Sequence, residues 1–437
     1  MINILGINLD NNIKNEELLL RISDFLNSNK QNYIVTPNPE IILQAQEDEE
    51  LFNILNKADL SLADGFGLKI AAGLLGKKLN RITGADALPE ILSIAEKLNK
   101  KVLIINNKNG LSTKEEISIA LKNRYQGLTF LIKDCDYNFS VSDKKKILNL
   151  NLKKENFINN LIKKAEDKVN KIYDLLLNDK LSDFSADILV CNFGAPYQEK
   201  FIFHNLNKLP SIKLAIGIGG ALDFLTGRIV RAPKLMRRMG LEWLWRLIKQ
   251  PHRYKRIFRA VFVFSFKFLK WHFINPFFYR KNVACFLYKK IPIPYTALEN
   301  KTRSELENYQ ILLVKRSDGL DHWQIPQGGI DADSIKLAGI REIYEELGIT
   351  NFVPQKVFKN VFKYKSPTRG RYGYKGQRQS LLLAEFIGND TNIKINYWDH
   401  SDWKWVKASE VLDRVHPIRR ESMEIFLNKF KNFLNIQ

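Results

Sequence analysis

Three glutamates in the last third of the chain are spaced so that together they could hold a divalent metal ion. Glu342, Glu345 and Glu346 stand at positions i, i+3 and i+4, which a helix places on one face. Carboxylates crowded in this way repel one another unless a cation neutralises them, and oxygen-ligated Mg²⁺ or Mn²⁺ suits that role. Such an ion can bridge a diphosphate and activate water. The alternative interpretation is a solvated acidic helix face.

A separate acidic residue, Asp64, follows the apolar run Leu60–Ala63 and could act as a general base. A sugar hydroxyl is a poor nucleophile, so a carboxylate at the reacting carbon must take its proton during attack. Such a base needs a raised pKa, which burial among apolar neighbours such as Leu62 and Phe66 would supply. The alternative interpretation of Asp64-Gly65 is an ordinary turn.

Seven polar motifs, one of which contains Asp64, follow one another in the first 243 residues. In chain order they are Thr36-Pro37-Asn38-Pro39-Glu40, Ala63-Asp64-Gly65-Phe66-Gly67, Arg81-Ile82-Thr83-Gly84-Ala85-Asp86, Gly194-Ala195-Pro196-Tyr197-Gln198-Glu199, Gly217-Ile218-Gly219-Gly220-Ala221-Leu222-Asp223-Phe224, Arg231-Ala232-Pro233 and Gly240-Leu241-Glu242-Trp243. Each motif alone has a structural explanation as a turn, a bend or a helix cap. Taken together and in this order, they resemble the WecG/TagA/CpsF glycosyltransferase family across about residues 1–260.

The resemblance implies an inverting transferase that moves an N-acetylated hexosamine of the N-acetylmannosamine type. The donor would be a UDP-sugar and the acceptor a polyprenyl-diphosphate-linked sugar, in the synthesis of cell-envelope polysaccharide. By match to the family, Asp64 would be the general base, and Thr36 and Asn38 would line the sugar pocket. Arg81 and Gln198 would position the sugar or its phosphate.

The same resemblance assigns the nucleotide end of the site. The loop 217–223, which ends in Asp223, would lie beside the nucleotide. A departing nucleoside diphosphate needs positive charge where negative charge develops. The family is regarded as acting without a metal, so no cofactor is expected here and arginines would fill that role. The candidates are Arg231, Arg237 and Arg238.

The elements that must position these residues follow a βαβ rhythm up to about residue 225. Short apolar runs predict strands, and a helical spacing such as that of Leu88–Leu98 predicts the helices between them. The predicted strands are Tyr33–Thr36, Leu60–Ala63, Lys101–Ile105, Ile188–Cys191 and Lys213–Ile218, preceded by a first strand at Met1–Ile7 where a signal peptide would have a basic start. This pattern predicts a Rossmann-like α/β domain with a mainly parallel sheet over residues 1–227. Apolar residues at helical spacing within the Lys/Asn-rich stretch 141–182 predict a helical insert, for which a solvated face is favoured over a nucleic-acid arm.

A basic and aromatic segment follows at residues 228–275. Eleven Lys/Arg and a single acid, Glu242, occur between Arg228 and Arg259, and the next segment, Ile257–Leu269, is almost wholly apolar and aromatic. It is too short and too charged to span a bilayer, which takes about 20 apolar residues. Basic residues beside aromatics indicate a helical appendage that lies on an anionic membrane. Nucleic-acid binding and an ordinary C-terminal helix pair are the alternatives.

The glutamate helix belongs to a third region, residues 278–437. The loop Trp323–Ile330 leads into Arg341-Glu342-Ile343-Tyr344-Glu345-Glu346-Leu347-Gly348-Ile349, and together they resemble the Nudix box of bacterial RNA pyrophosphohydrolases and dinucleoside polyphosphate hydrolases. The resemblance implies an α/β/α sandwich in which Glu342, Glu345 and Glu346 bind Mg²⁺ or Mn²⁺ and Glu345 is catalytic. Its substrates would be RNA 5′ ends or nucleoside polyphosphates. The box is shortened, because only twelve positions separate Gly329 from Arg341, and Asp399 stands where relatives carry a late acidic residue.

Composition limits the setting in which these activities can operate. The net charge of +21 calls for anionic partners. Cys135, Cys191 and Cys285 have neither disulfide nor zinc spacing, which favours a reduced cytoplasmic setting on the inner face of the plasma membrane. The leading hypothesis is a membrane-peripheral glycosyltransferase with a fused Nudix domain. The alternatives are a primary Nudix pyrophosphohydrolase and a membrane-docked scaffold without catalysis.

Overall fold

The computed structural model describes residues 1–11, 13–135, 184–291, 305–317, 321–330, 333–367, 370–396 and 399–435, except for the side chains of Lys234, Arg238 and His252. The insert predicted at 141–182 lies outside these residues. The chain divides into two units, Met1–Phe268 and Leu269–Gln437, and each is described by itself.

The first unit is built on a six-stranded sheet in which every strand pairing is parallel. The strands described in this unit are β1 (Ile2–Ile4), β2 (Ile7–Leu9), β3 (Asn32–Val35), β4 (Leu60–Ser61), β5 (Val102–Asn107), β6 (Phe130–Cys135), β7 (Ile188–Asn192) and β8 (Leu214–Gly217). The sheet order is β4-β3-β8-β7-β5-β6. The predicted mainly parallel α/β fold is therefore confirmed. Because all six strands run the same way, the loops that carry the polar motifs leave from one edge of the sheet.

Helices cover this sheet and supply the rest of its core. They are α1 (Asn15–Asn27), α2 (Pro39–Ala45), α3 (Glu49–Asn56), α4 (Phe66–Leu74), α5 (Gly84–Lys97), α6 (Lys114–Arg124), α7 (Tyr197–Asn205) and α8 (Ala221–Leu225). Buried side chains of α1, α5 and α6, such as Ile22, Ile91 and Ile117, pack with strand residues such as Ile104 and Ile216 in one cluster. This apolar core fixes where each strand ends.

The first predicted strand takes a different form from the one expected. The chain reverses at Leu5 and Gly6, which both have positive φ angles (52° and 80°), so that β1 and β2 form an antiparallel hairpin outside the parallel sheet. A two-residue turn with positive φ at both positions matches the twist of a hairpin. Gly6 is the residue that marks this turn in the sequence, and the prediction of one strand ran through it.

Helix α5 begins four residues before the predicted helix Leu88–Leu98. Thr83 caps it, because its hydroxyl accepts a hydrogen bond from the backbone N–H of Asp86, while the Asp86 carboxylate accepts one from the Thr83 N–H. This reciprocal pair satisfies two backbone donors of the first turn. The helix therefore starts at Gly84, and its N-terminus enters the region of the polar motifs.

The basic and aromatic segment is helical. It contains α9 (Lys234–Arg238), α10 (Glu242–Lys249), α11 (Tyr254–Phe258), a π-helical turn (Arg259–Val263), α12 (Phe264–Leu269) and a second π-helical turn (Lys270–Ile274). Within the described residues, none of the helices has the length and apolar content that crossing a membrane requires.

The second unit is an α/β/α sandwich, as predicted. Its strands are β9 (Tyr279–Lys290), β10 (Tyr309–Arg316), β11 (Trp323–Gln324), β12 (Gln327–Gly329), β13 (Phe352–Lys365), β14 (Gly376–Phe386) and β15 (His400–Lys407), and its helices are α13 (Ile335–Leu347), α14 (Val411–Arg414) and α15 (Pro417–Leu434). Successive residues of β9 point to opposite faces of this mixed sheet. Phe286 packs with α15, whereas Val283 and Cys285 pack with α13, the helix that carries the three glutamates.

Candidate functional site

The carboxylate of Asp64 lies at the carboxyl edge of the parallel sheet, against the first turn of α5. Its backbone N–H donates to the Pro37 carbonyl (2.9 Å), and its carboxylate accepts a hydrogen bond from the Gly84 N–H. Thr36 borders the same turn, since a Cβ built on Gly84 would lie 3.6 Å from the Thr36 hydroxyl oxygen. The ends of β3 and β4 and the start of α5 therefore bring Thr36 and Asp64 together around Gly84.

The surroundings of Asp64 change its acidity. Burial is the largest cause and raises the pKa of this carboxyl from 3.8 to about 6, while Arg246 and Arg81 oppose the rise and Glu242 adds to it. The hydrogen bond from Gly84 favours the charged form. A carboxyl with this pKa is ionised at pH 7 yet basic enough to accept a proton from a reacting hydroxyl.

Two of the charges around Asp64 come from the basic segment. Glu242 of α10 forms an ion pair with Arg81 (2.9 Å) and a longer one with Arg246 (3.4 Å). The sequence singled out Glu242 as the lone acid of this segment and as part of the motif Gly240-Leu241-Glu242-Trp243, but it passed over Arg246. The signal that could have found the pair is their i, i+4 spacing on one helix. Helix α10 therefore completes the electrostatic surroundings of the site.

Gly240 places α10 against the sheet domain. Its φ is +77°, and a Cβ built on it would lie 2.2 Å from the ring of Phe66. No side chain fits between this backbone and the ring that follows Asp64-Gly65. A glycine here allows the close approach that brings Glu242 and Arg246 to the site.

Gln198 has a supporting position, which differs from the expectation that it would face the sugar or its phosphate. The side chain is 2% exposed. Its Oε1 accepts hydrogen bonds from the N–H groups of Gly194 (3.1 Å) and Gly219 (2.9 Å), and its Nε2 donates to Glu199. The amide thus joins the loops that follow β7 and β8. Burial raises the pKa of the Glu199 carboxyl to about 7.

Asp223 ends a buried polar chain that runs across the carboxyl ends of β5, β7 and β8. The Ser112 hydroxyl donates to the Asp223 carboxylate (2.7 Å), the Asn106 amide donates to the Ser112 carbonyl (3.3 Å), and the Asn192 amide donates to Asn106 (2.8 Å). Sequence reasoning missed Ser112, Asn106 and Asn192, because nothing in the local spacing connects residues so far apart in the chain. The network fixes the loop 217–223 that was expected beside the nucleotide.

The remaining predicted residues of this domain lie around the same edge. Asn38 caps α2 by accepting a hydrogen bond from the Ile41 N–H (2.9 Å). Arg231 pairs with Asp86 (2.6 Å), and a polar cleft of about 260 Å³ lies between Arg231 and Arg81. Arg237 donates to the Ala232 carbonyl (3.1 Å), which holds its own loop. The side chain of Arg238 lies outside the described part of the chain.

An exposed aromatic face runs along α11 and α12. It consists of Tyr254, Phe258, Phe262 and Phe266, which recur every four residues and are 58%, 56%, 63% and 67% exposed. A π-helical turn holds more residues than an α-helical turn. In a segment that contains both, side chains four residues apart therefore stay on the same side. On the opposite side Phe264 is only 2% exposed. This arrangement differs from that of an ordinary C-terminal helix buried against a core.

Ion pairs hold this segment on α2 and the residues just after it. Arg256 forms a two-pronged pair with Glu40 (2.8 Å), and both Arg259 and Lys267 approach Glu47 (3.7 and 3.9 Å). These cations therefore lie near the carboxylates of α2 and of the residues just after it.

In the second unit, α13 carries the three predicted metal ligands. Glu342 and Glu346 are 7% and 5% exposed, whereas Glu345 is exposed. Arg341 contacts Glu342 (2.8 Å) and Glu345 (3.1 Å) and donates to the Gly329 carbonyl (2.8 Å). Two buried carboxylates and one exposed carboxylate on one helix face are a donor set that fits a hard divalent cation.

The loop before α13 packs tightly against the same carboxylates. A Cβ built on Gly328 would lie 1.9 Å from the Glu342 carboxyl group, so a larger residue there would displace this carboxylate. The N–H of Gln327 points at Glu346 (3.4 Å), and Asp333 lies 3.4 Å from Arg341. The shortened box therefore still places its loop and its three glutamates in contact.

Together, the parallel sheet with a carboxylate at its carboxyl edge and the sandwich with a carboxylate helix define two enzyme-type units in one chain. The family model for "Glycosyl transferase WecG/TagA/CpsF family" matches residues 2–276, and the model for "NUDIX domain" matches residues 302–426. The chain belongs to the WecG/TagA/CpsF family, because that match covers more than half of it. It is a glycosyltransferase that carries a fused Nudix domain.

Curated relatives support the first assignment. The chain is 28% identical over 225 residues to the N-acetylglucosaminyldiphosphoundecaprenol N-acetyl-beta-D-mannosaminyltransferase of Bacillus subtilis (strain 168), covering 51% of this chain and 74% of that protein. It is 27% identical to the protein of the same name from Staphylococcus aureus (strain MRSA252), covering 62% of this chain and 92% of that one.

A solved Ap4A hydrolase from C. elegans matches 36% of this chain and 98% of its own, with 21% identity and a TM-score of 0.26.

Proposed function

We propose that the first unit transfers an N-acetylmannosamine-type sugar from a UDP donor to an N-acetylglucosamine carried on a polyprenyl diphosphate, with inversion at the anomeric carbon. The relatives' name describes transfer of an N-acetyl-beta-D-mannosaminyl group to N-acetylglucosaminyldiphosphoundecaprenol. The single observation that carries the proposal for this chain is the position of the Asp64 carboxylate, which accepts a hydrogen bond from the Gly84 N–H beside Thr36 and whose pKa is raised by desolvation to about 6.

In the proposed mechanism, Asp64 takes the proton from the acceptor hydroxyl as that oxygen attacks the anomeric carbon. The bond from the sugar to UDP breaks in the same step, and negative charge develops on the departing diphosphate. Arg81, Arg246 and Arg231 supply positive charge at this edge, which stabilises the developing charge. Thr36 and Asn38 line the sugar side, and the loop ending in Asp223 lies on the nucleotide side.

The proposed organisation has a catalytic core at 1–227, an appendage at 228–275 and the Nudix domain at 278–437. The appendage would rest on the anionic inner face of the plasma membrane through its exposed aromatic face. Aromatic side chains beside Lys and Arg suit the headgroup layer of a membrane. Each cation near an anionic leaflet contributes about 1 kcal/mol to binding. This position would hold the lipid-linked acceptor next to the site that Glu242 and Arg246 complete.

The test is UDP release from UDP-N-acetylmannosamine in the presence of a lipid-diphosphate-linked N-acetylglucosamine. Release that depends on the acceptor and is lost in Asp64→Asn supports the proposal. A matched control is Asp24→Asn, which changes an exposed carboxylate of α1 and should leave turnover unaltered. Undiminished turnover in folded Asp64→Asn would refute the assigned base.

For the second unit we propose a pyrophosphohydrolase activity on RNA 5′ ends or nucleoside polyphosphates. The observation that favours it is the contact among the Gly328 loop, Glu342 and Glu346 despite the shortened box. Glu342, Glu345 and Glu346 would hold Mg²⁺ or Mn²⁺, which would activate water and neutralise the diphosphate. Phosphate or diphosphate release from triphosphorylated RNA, abolished by Glu345→Gln, tests this activity.

A further inference from the structure

His400 is a buried histidine next to the carboxylate helix, and sequence reasoning assigned it no role. It begins β15 and is 0% exposed, and neither of its ring nitrogens has a hydrogen-bond partner among the residues that the structure describes. Its Nε2 lies 3.7 Å from Glu346 Oε2, and its Nδ1 lies 3.9 Å from Asp399 Oδ2. Burying a polar nitrogen without a partner costs free energy, which a bound ligand would offset.

The spacing of these three side chains fits a single metal ion. One ligand atom from each of Glu346, Asp399 and His400 can be chosen so that all three lie within 4.8 Å of one another. Two ligands that are each about 2.1 Å from an ion can be at most about 4.2 Å apart. The 3.7 Å between His400 Nε2 and Glu346 Oε2 already satisfies that limit.

Backbone hydrogen bonds tie the three residues to one another. The N–H groups of Asp399 and His400 both donate to the Asn396 carbonyl (3.3 and 3.0 Å), and the Asn396 N–H donates to the Glu346 carbonyl (3.1 Å). The Asn396 amide also donates to the Glu345 carbonyl (2.9 Å). The turn that carries Asp399 and His400 is thereby fixed to the end of α13 that carries the glutamates. A site held in this way keeps its geometry before the ion arrives.

We infer that His400 is a nitrogen ligand of the divalent ion in the Nudix unit, joining Glu346 and Asp399, and that it shifts the preference of the site from Mg²⁺ toward a transition metal such as Mn²⁺. This inference rests on the proposed metal-binding role of Glu346. Mg²⁺ takes oxygen ligands and keeps its waters, whereas imidazole suits first-row transition ions. A site built from carboxylate oxygens alone would lack this added preference for Mn²⁺ over Mg²⁺.

The experiment loads the full-length protein with one equivalent of Mn²⁺ and records pulsed electron paramagnetic resonance. Nitrogen coupling to the bound Mn²⁺ is expected in the wild type, and it should change when the protein is labelled with ¹⁵N-histidine. The coupling should disappear in His400→Gln. His204→Gln is the matched control, since His204 also lies beside a carboxylate, at 2.7 Å from Glu50, but in the first unit.

Calorimetry supplies a second readout that does not depend on turnover. His400→Gln should weaken Mn²⁺ binding by about 10- to 100-fold, because Mn²⁺ loses its imidazole ligand. Binding of Mg²⁺, which takes oxygen ligands, should stay within a factor of about three. Bound Mn²⁺ without nitrogen coupling in the wild type would overturn the inference and leave the carboxylate site standing. Failure to bind any divalent ion would overturn both. If His400→Gln does not fold, the labelled wild type alone decides.

Discussion

Glu242 Oε2 lies 2.9 Å from Arg81 Nη2, and this ion pair joins helix α10 to the loop between α4 and α5, near the proposed base Asp64. Arg246, one turn further along α10, lies on the other side of Glu242 (3.4 Å). The segment with the most basic composition therefore belongs to the site and is more than a surface appendage. Its charges act directly on the acidity of Asp64, which makes their contribution measurable.

Replacing Asp64 by Asn should lower kcat by about 10²- to 10⁴-fold, the usual contribution of a general base. It should not weaken the fold. The folded-state pKa of Asp64 lies above its ordinary value, so ionising the buried carboxyl costs stability as the pH rises from about 4 to about 6. Asn avoids that cost, and at pH 7.5 its free energy of unfolding should exceed that of the wild type by up to about 3 kcal/mol. Thermal denaturation of the wild type and of Asp64→Asn at about pH 4 and at pH 7.5 checks this. A lower melting temperature for Asp64→Asn at pH 7.5 would contradict it.

The transferase rate should depend on pH through the ionised form of Asp64. With a pKa of about 6, kcat/KM should rise with pH through that value and level off above pH 7. At pH 5 about one tenth of the carboxyl would be ionised, so the rate should be about tenfold below its plateau. A profile that is flat between pH 5 and pH 7 would exclude Asp64 as the base.

Two substitutions in α10 should move this pH midpoint in opposite directions. Arg246 lowers the pKa of Asp64, so Arg246→Gln should shift the midpoint upward. Glu242 raises that pKa, so Glu242→Gln should shift the midpoint downward. Arg228→Gln is the control, because Arg228 pairs with Glu116 on the exposed surface. Shifts in the same direction in both variants would show that the effect is structural and not electrostatic.

The exposed aromatic face should govern membrane binding. A triple substitution of Phe258, Phe262 and Phe266 by Ser should reduce co-sedimentation with anionic liposomes by at least about tenfold, because each ring loses apolar contact with the headgroup layer. Binding of the wild type should also weaken at high salt, since the flanking cations are screened.

The matched control removes three equally exposed apolar side chains elsewhere in the first unit. Leu20, Leu111 and Ile119 are 66%, 59% and 60% exposed. Their replacement by Ser should leave liposome binding within a factor of about two, because isolated exposed residues carry no membrane contact. Equal losses in both triple variants would indicate general adhesion and contradict a defined membrane face.

The Nudix unit should lose its hydrolytic activity when its metal is removed. Chelation by EDTA should abolish phosphate release from triphosphorylated RNA, and added Mn²⁺ should restore it. Glu345→Gln should lower kcat by at least about 100-fold at saturating metal, whereas Glu385→Gln, a carboxylate on β14 outside the box, should not. Transferase activity in the same preparations should be unaffected, and parallel losses would contradict separate sites.

The parallel sheet and the ordered motifs could be predicted from the sequence because each depends on local pattern, whereas the sandwich was predicted from the resemblance of the glutamate helix and its loop to the Nudix box. Apolar runs such as Ile188–Cys191 mark strands, and the spacing of Glu342, Glu345 and Glu346 alone places them on one helix face. The hairpin at Leu5-Gly6 was missed because a single glycine between short apolar segments was interpreted as part of one strand. The start of α5 at Gly84 was missed because its capping residues were interpreted only as part of a binding motif.

The sequence by itself determined the two domain classes and the carboxylates that could do chemistry, because side-chain type and helical or strand periodicity are local properties. Only the tertiary structure decided which charges surround Asp64, that Gln198 joins two loops, and that His400 lies between Glu346 and Asp399. These relationships connect residues separated by up to 182 positions, from Asp64 to Arg246. The strength of an electrostatic or hydrogen-bonded contact depends on distance and burial in the folded chain, and neither quantity is encoded in the spacing of residues along it.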